Sequence, residues 1–263
     1  MLMIIRLTLL GIFRDRVFQG ILTAAVLFLF IPALASFSMR QVTELSITLS
    51  LSLISFILLL LSVFLGGTLV WKDIERRYTH NILSLPMERG AYLLGKYLGA
   101  ALFMLLTACV LGIVSILVVM YASTIYPPFR PVVWGNVACA IVFEGMKYVL
   151  LTACAFLFST FSTSFFLPIF GTLSVFFVGC ASQGAYDFVH SASGSTLHPL
   201  IVKAAGILYY VIPNFSAFNL KLQAVYGLPL AQNGILLTIG YFLIYVVIVM
   251  TLAVAVFSRR EMK

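Results

Sequence analysis

Long apolar runs alternate with short polar islands along the whole chain. Runs suited to crossing a bilayer lie at Val17 to Phe37, Ile47 to Val70, Leu93 to Tyr121, Val132 to Phe158, Phe165 to Ala181 and Ile235 to Phe257. A hydrocarbon core of ~30 Å takes about 20 helical residues. The pattern therefore predicts an all-α integral membrane protein with six transmembrane helices, in a single membrane domain over residues 1–263. A further apolar stretch, Leu200 to Ile212, is too short, carries Lys203 and is bracketed by Pro199 and Pro213. It predicts a short interfacial or re-entrant helix inside the outer loop, residues 182–234, just before the last span. The aromatic segment Ile212 to Asn219 that follows suits a second short helix at that interface, with Pro213 near its first turn.

Two segments outside the spans are amphipathic. In the first, Leu2, Ile5, Leu9 and Ile12 recur at helical spacing before the cluster Arg14, Asp15 and Arg16. Residues 1–16 thus predict an elbow helix lying along the inner leaflet and turning into the membrane near Val17. With no small-residue cleavage site and an early Arg6, the segment is expected not to be a cleaved signal. The second is the island from Lys72 to Lys96. If Asp73 caps a helix there, Ile74, Tyr78, Ile82 and Leu85 line one face and Pro86 ends it. Asp73 and Glu75 then occupy the first turn, where the helix dipole favours carboxylates, while Arg76, Arg77 and His80 stand off the apolar stripe. Such a helix fits lipid headgroups or the groove of a soluble protein subunit.

Composition agrees with the spans, since 62% of residues are hydrophobic and only 9% charged, against roughly 25% charged in soluble domains. The net charge of +8 is unevenly placed. In a six-span arrangement Arg6, Arg14, Arg16, Lys72, Arg76, Arg77, Arg89, Lys96, Arg259, Arg260 and Lys263 share one side, and Arg40, Arg130, Lys203 and Lys221 the other. The excess marks the cytoplasmic face, so both termini and the 71–92 loop are expected inside a cytoplasmic membrane. Nucleic acid is not an expected partner, because no soluble basic and aromatic platform exists to bind it.

Candidate chemistry is sparse. Cys109, Cys139, Cys154 and Cys180 lie in predicted spans without CxxC spacing and are expected to be packing thiols. Residues Gly90 to Lys96 carry the glycine and lysine spacing of a phosphate loop, but Tyr97 replaces the Ser or Thr and no strand precedes it. Gly95 and Gly99 are better read as a small-residue face for close helix packing. The chain is accordingly not expected to hydrolyse ATP, nor to hold a cofactor or metal. Asp187, His190 and His198 in the outer loop have no fixed spacing for a metal site and predict a solvated loop. Glu144 and Lys147, three apart on the fourth span, share a helix face. They predict either a self-neutralised pair that fixes packing or a part of a substrate or proton path.

Taken in order, the Phe13 to Val17 elbow, the loop from Asp73 to Arg77 through Leu83 to Pro86, the Tyr92 to Tyr97 run, and the late Pro213, Asn214 and Phe215 resemble type 2 ABC exporter permeases. The resemblance covers nearly the whole chain and is closest to permeases of the copper-enzyme maturation system for nitrous oxide reductase. It implies a transmembrane permease subunit that pairs with a second permease, a homodimer being the simplest case. Two separate ATPase subunits, which hold ATP and Mg, would dock on it. Ile74, Glu75, Arg76, Arg77, Tyr78, Ile82 and Leu85 would form the coupling helix that touches the ATPase, with Arg14, Asp15 and Arg16 making the elbow contact. Substrate would move outward by alternating access, and the family also allows a periplasmic or outer-side accessory protein. Outside this family, the remaining classes are an intramembrane enzyme and a channel or scaffold subunit with no ATPase partner.

Overall fold

The computed structural model describes residues 2–13, 19–20, 23, 30, 41–75, 88–128, 130–191 and 198–259. The helices are α1 (Leu2–Phe13), α2 (Val42–Glu75), α3 (Arg89–Ile125), α4 (Trp134–Phe161), α5 (Phe166–Val189), α6 (Pro199–Val211), α7 (Lys221–Tyr226) and α8 (Gln232–Arg259), with a 3-10 turn at Phe215–Phe218 between α6 and α7. Among the described residues no strand occurs, and α2, α3, α4, α5 and α8 are long and apolar enough to cross a membrane. Their bounds match five of the six runs read from the sequence. Most of the other run, Val17 to Phe37, lies outside the described residues. So do Arg14, Asp15 and Arg16 of the elbow, and Arg76, Arg77, Tyr78, Ile82 and Leu85 of the loop.

The stretch after α5 is a bent pair of helices, Leu200–Val211 and Phe215–Tyr226, whose axes differ by 50°. Pro213 explains the break: it has no amide hydrogen to donate, and it biases Ile212 toward extended backbone. Ile212 is indeed extended, at φ −93° and ψ 135°. The second limb is anchored at the end of the molecule where α4 starts. Asn136 donates through Nδ2 to the carbonyls of Gln223 (2.9 Å) and Leu228 (2.8 Å). Gly227 turns the chain there with φ +62°, a left-handed conformation that glycine adopts without a Cβ penalty.

Helix α4 is the hub. Its apolar window is 78% buried, against 22% for α5 and 17% for α8. Small residues let its neighbours come close: a methyl on Gly66 of α2 would sit 2.5 Å from the Ala155 Cβ, and one on Gly112 of α3 would sit 2.7 Å from Ile141 Cγ2. Hydroxyls add polar links where the backbones approach. Ser159 donates to the carbonyls of Gly66 (3.2 Å) and Gly67 (3.1 Å), and Thr152 donates to Ser62 Oγ (3.1 Å). Close van der Waals packing plus interhelical hydrogen bonds, each worth about 0.6 kcal/mol on average, is how helices associate in a solvent as apolar as their own side chains.

Candidate functional site

At one end of the bundle α2 and α3 are clamped together. The sequence suggested Asp73 as the cap of a new helix, but α2 runs on through it to Glu75, so Asp73 lies in the last turn of a span and caps nothing. Its carboxylate instead accepts from Tyr92 Oη and pairs with Lys96 Nζ, both on the first two turns of α3. Lys96 also donates to the Leu69 carbonyl at 2.8 Å, and its ammonium stands 5.5 Å from the centre of the Tyr92 ring. A partner 23 residues away in sequence therefore outweighs the local capping preference. Tyr92 in turn stacks on Phe257 of α8 at 6.4 Å, and the Arg89 guanidinium donates to the Ser258 carbonyl at 3.3 Å. Three helix ends are tied at the mouth of the 76–88 connection.

The N-terminal helix rests against the same end of α3. Gly95 and Gly99 do form the close-packing face expected of them, and its partner is α1. A methyl on Gly95 would lie 3.1 Å from Ile4, and one on Gly99 would lie 2.9 Å from Thr8 Cβ and 3.3 Å from the Ile5 carbonyl. Ile4, Thr8 and Ile12 are the buried stripe of α1. The stripe read from sequence for the leaflet, Leu2, Ile5, Leu9 and Ile12, is offset from this protein-facing one: Leu2 is 84% exposed, while Ile5 and Leu9 are half-buried. The register follows the glycines, which admit a small polar Thr8 where a simple count of apolar residues would skip it. Phe13 closes the contact edge-on to Phe103 at 5.3 Å.

A second polar cluster lies deeper. Glu144 and Lys147 are both buried and ion-paired. Glu144 stands ten residues into α4, about 15 Å from the Trp134 end, so the pair is not at the helix mouth. Beyond the ion pair, neither carboxylate oxygen has a hydrogen-bond partner among the described residues. The Lys147 ammonium lies 4.6 Å from the Tyr148 ring centre, and Tyr148 Oη shares a 2.6 Å hydrogen bond with Ser55 Oγ of α2. Lys221, grouped with the outer loop in the sequence reading, reaches Ser52 of α2 at 3.4 Å and lies within electrostatic reach of both Glu144 and Lys147. No local pattern reveals that depth, because it depends on how far the segment after Pro213 folds back along α4.

Other candidates are engaged locally. Asp187 accepts from Gln183 at 2.9 Å, His190 Nδ1 sits 2.8 Å from the Tyr186 carbonyl, and His198 caps α6 by accepting from the Leu200 amide at 3.3 Å. Of the cysteines, Cys154 is buried as a packing thiol, whereas Cys109 and Cys180 are exposed on this chain. A tyrosine-lined cleft of about 390 Å³ between α5, α6 and α8 was not legible in sequence: Tyr209, Tyr210, Tyr241 and Tyr245 come from two separate stretches. Asn214 joins its walls, its amide donating to Tyr241 Oη (2.7 Å) and its side chain to Gln183 (2.7 Å). The Glu144–Lys147 pair and the Asp73–Lys96 clamp are thus separate places, one inside the bundle and one at its basic end. The chain is a multi-pass, all-α integral membrane protein; no protein-family model matches it, and no curated protein is significantly similar to it.

Proposed function

We propose that this chain is the permease subunit of an ATP-driven exporter of the type 2 ABC class, working as a pair of permeases with two separate ATPase subunits in the cytoplasmic membrane. The observation that carries the reading is the shared footing of the two amphipathic segments. Helix α1 is seated on Gly95 and Gly99 of α3, and the 76–88 connection is flanked by the pair of Asp73, from α2, with Lys96, the residue after Gly95. A soluble subunit touching that end meets both. Its push on the segment from Ile74 to Leu85 passes into α2 and α3 as one clamped unit, and from α2 and α3 into the buried hub α4. Closing and reopening the two ATPases then rocks the hub between two arrangements, which is the requirement for alternating access.

The test is co-purification with an ATPase encoded beside this chain. Tyr78→Asp with Ile82→Asp places two charges on the apolar face of the proposed docking helix and abolishes the complex, while the permease stays in the membrane. Arg76→Ala or Arg77→Ala weakens it in a salt-dependent way. An unchanged yield of complex in the double variant rejects the docking role and leaves a channel, a scaffold or an intramembrane enzyme.

A further inference from the structure

We propose that Lys221, with the Ser52 hydroxyl, forms an oxyanion site inside the membrane-embedded part of the chain, taking a phosphate or carboxylate group from a solute or from a lipid headgroup. Lys221 opens α7, and a helical side chain leans toward its helix N-terminus. Here that direction leads away from the end of the molecule where Leu228 and Asn136 meet, and onto Ser52 at 3.4 Å. Ser52 lies ten residues into α2, about 15 Å along the helix, at a distance from the helix end similar to that of Glu144. An ammonium at that depth is costly unless it is paired.

The described residues offer it no free anion. Among the described carboxylates only Glu144 is in electrostatic reach of Lys221, and Glu144 is already paired with Lys147. Glu44 is eight residues from Ser52, about 12 Å along α2, and Asp187 is held by Gln183. Residues 17–40 contain no Asp or Glu. Two ammonium groups therefore face one carboxylate, and the surplus is positive. Lys221 is half-buried and Ser52 exposed, so the surplus charge is open to a ligand on one side of α2. The two Lys221 N–H donors not directed at Ser52, with the Ser52 hydroxyl, match the several acceptor lone pairs of a single oxyanion.

Cys180 is the reporter, being exposed and in electrostatic reach of Lys147, Glu144 and Lys221, two cations and one carboxylate. In the full chain in nanodiscs, with Cys109, Cys139 and Cys154 replaced by Ala, its rate with an anionic sulfonatoethyl methanethiosulfonate is compared with its rate with the cationic trimethylammonioethyl reagent. The ratio cancels the intrinsic reactivity of the thiol. We expect the anionic reagent to be favoured about tenfold, the preference to vanish in Lys221→Gln, and to persist in Lys221→Arg. Added inorganic phosphate slows the anionic reagent if the ligand is a solute. Phosphatidylglycerol in place of phosphatidylcholine slows it if the ligand is a lipid headgroup. An unchanged ratio in Lys221→Gln overturns the site. So does protection by neither phosphate nor phosphatidylglycerol, or a Cys180 that accepts N-ethylmaleimide but neither charged reagent. Should Lys221→Gln not fold, the protection measurements on the lysine and arginine forms decide. No ATPase is present in the assay, so failure here leaves the docking proposal untouched, and failure of docking leaves this site standing.

Discussion

Asp73 and Lys96 pair across the 76–88 connection, one from the last turn of α2 and the other from the second turn of α3. Lys96 is 8% exposed overall, so removing its partner leaves a cation with little water. Breaking a buried pair in this way costs about 3–5 kcal/mol. Asp73→Asn is expected to lower the melting temperature of the purified chain markedly. The double variant Asp73→Asn with Lys96→Met, which removes both charges, is expected to recover most of the loss. Additive destabilisation in the double variant would show that the two side chains do not depend on each other.

The seat of α1 gives a second expectation. Gly99→Val forces the helix away from Thr8, because the first added carbon already lies 2.9 Å from the Thr8 Cβ. In a chain free of native cysteines, a Thr8→Cys probe, otherwise buried, becomes reactive to maleimide when Gly99 is valine. Gly240→Val is the control, since no atom lies within 4 Å of the added carbon there. Equal labelling in both backgrounds would mean that α1 is held by something other than the glycine pair.

Orientation is tested by labelling from the two sides of the membrane. With both termini inside, an added cysteine at Ser193 reacts in intact cells, and a C-terminal tag becomes accessible only after permeabilisation. The reverse result at either position inverts the assignment drawn from the lysine and arginine bias.

The Glu144–Lys147 pair separates packing from transport. As a structural pair it makes Glu144→Gln strand a buried ammonium, at about 3–5 kcal/mol, and lower the yield of folded protein. The exchange Glu144→Lys with Lys147→Glu restores much of it. A Glu144→Gln chain that folds and assembles normally but no longer supports transport would place the pair in the cargo path instead.

What was legible in the sequence follows from the range of the forces involved. Span positions are set by local hydropathy, and α4 at Trp134–Phe161 falls almost on the run Val132 to Phe158. The use of Gly95 and Gly99 was legible too, since only small residues allow backbones so close; their partner was not. In α1 only Arg6 and Thr8 interrupt the apolar side chains, so hydropathy hardly separates the face toward lipid from the face toward protein, and Thr8 went unnoticed. Asp73 was misread because the capping rule is local while Lys96 is not. Lys221 looked like an ordinary loop cation, and its depth is set by the bend after Pro213 and by the Asn136 clamp on α7.

The central place of α4 also bears on how the protein is made. Ribosomes deliver α2 and α3 first, yet the Ser159 hydroxyl that meets the Gly66 carbonyl and the Thr152 hydroxyl that meets Ser62 both belong to a helix completed only at Phe161. At 5–20 residues per second, the interval from Glu75 to Phe161 is on the order of 5–15 seconds. Through that interval the early helices stay in the bilayer with their tightest faces open, and a nascent chain stalled before Trp134 would offer Gly66 and Gly112 to whatever insertase or quality-control protease reaches them first.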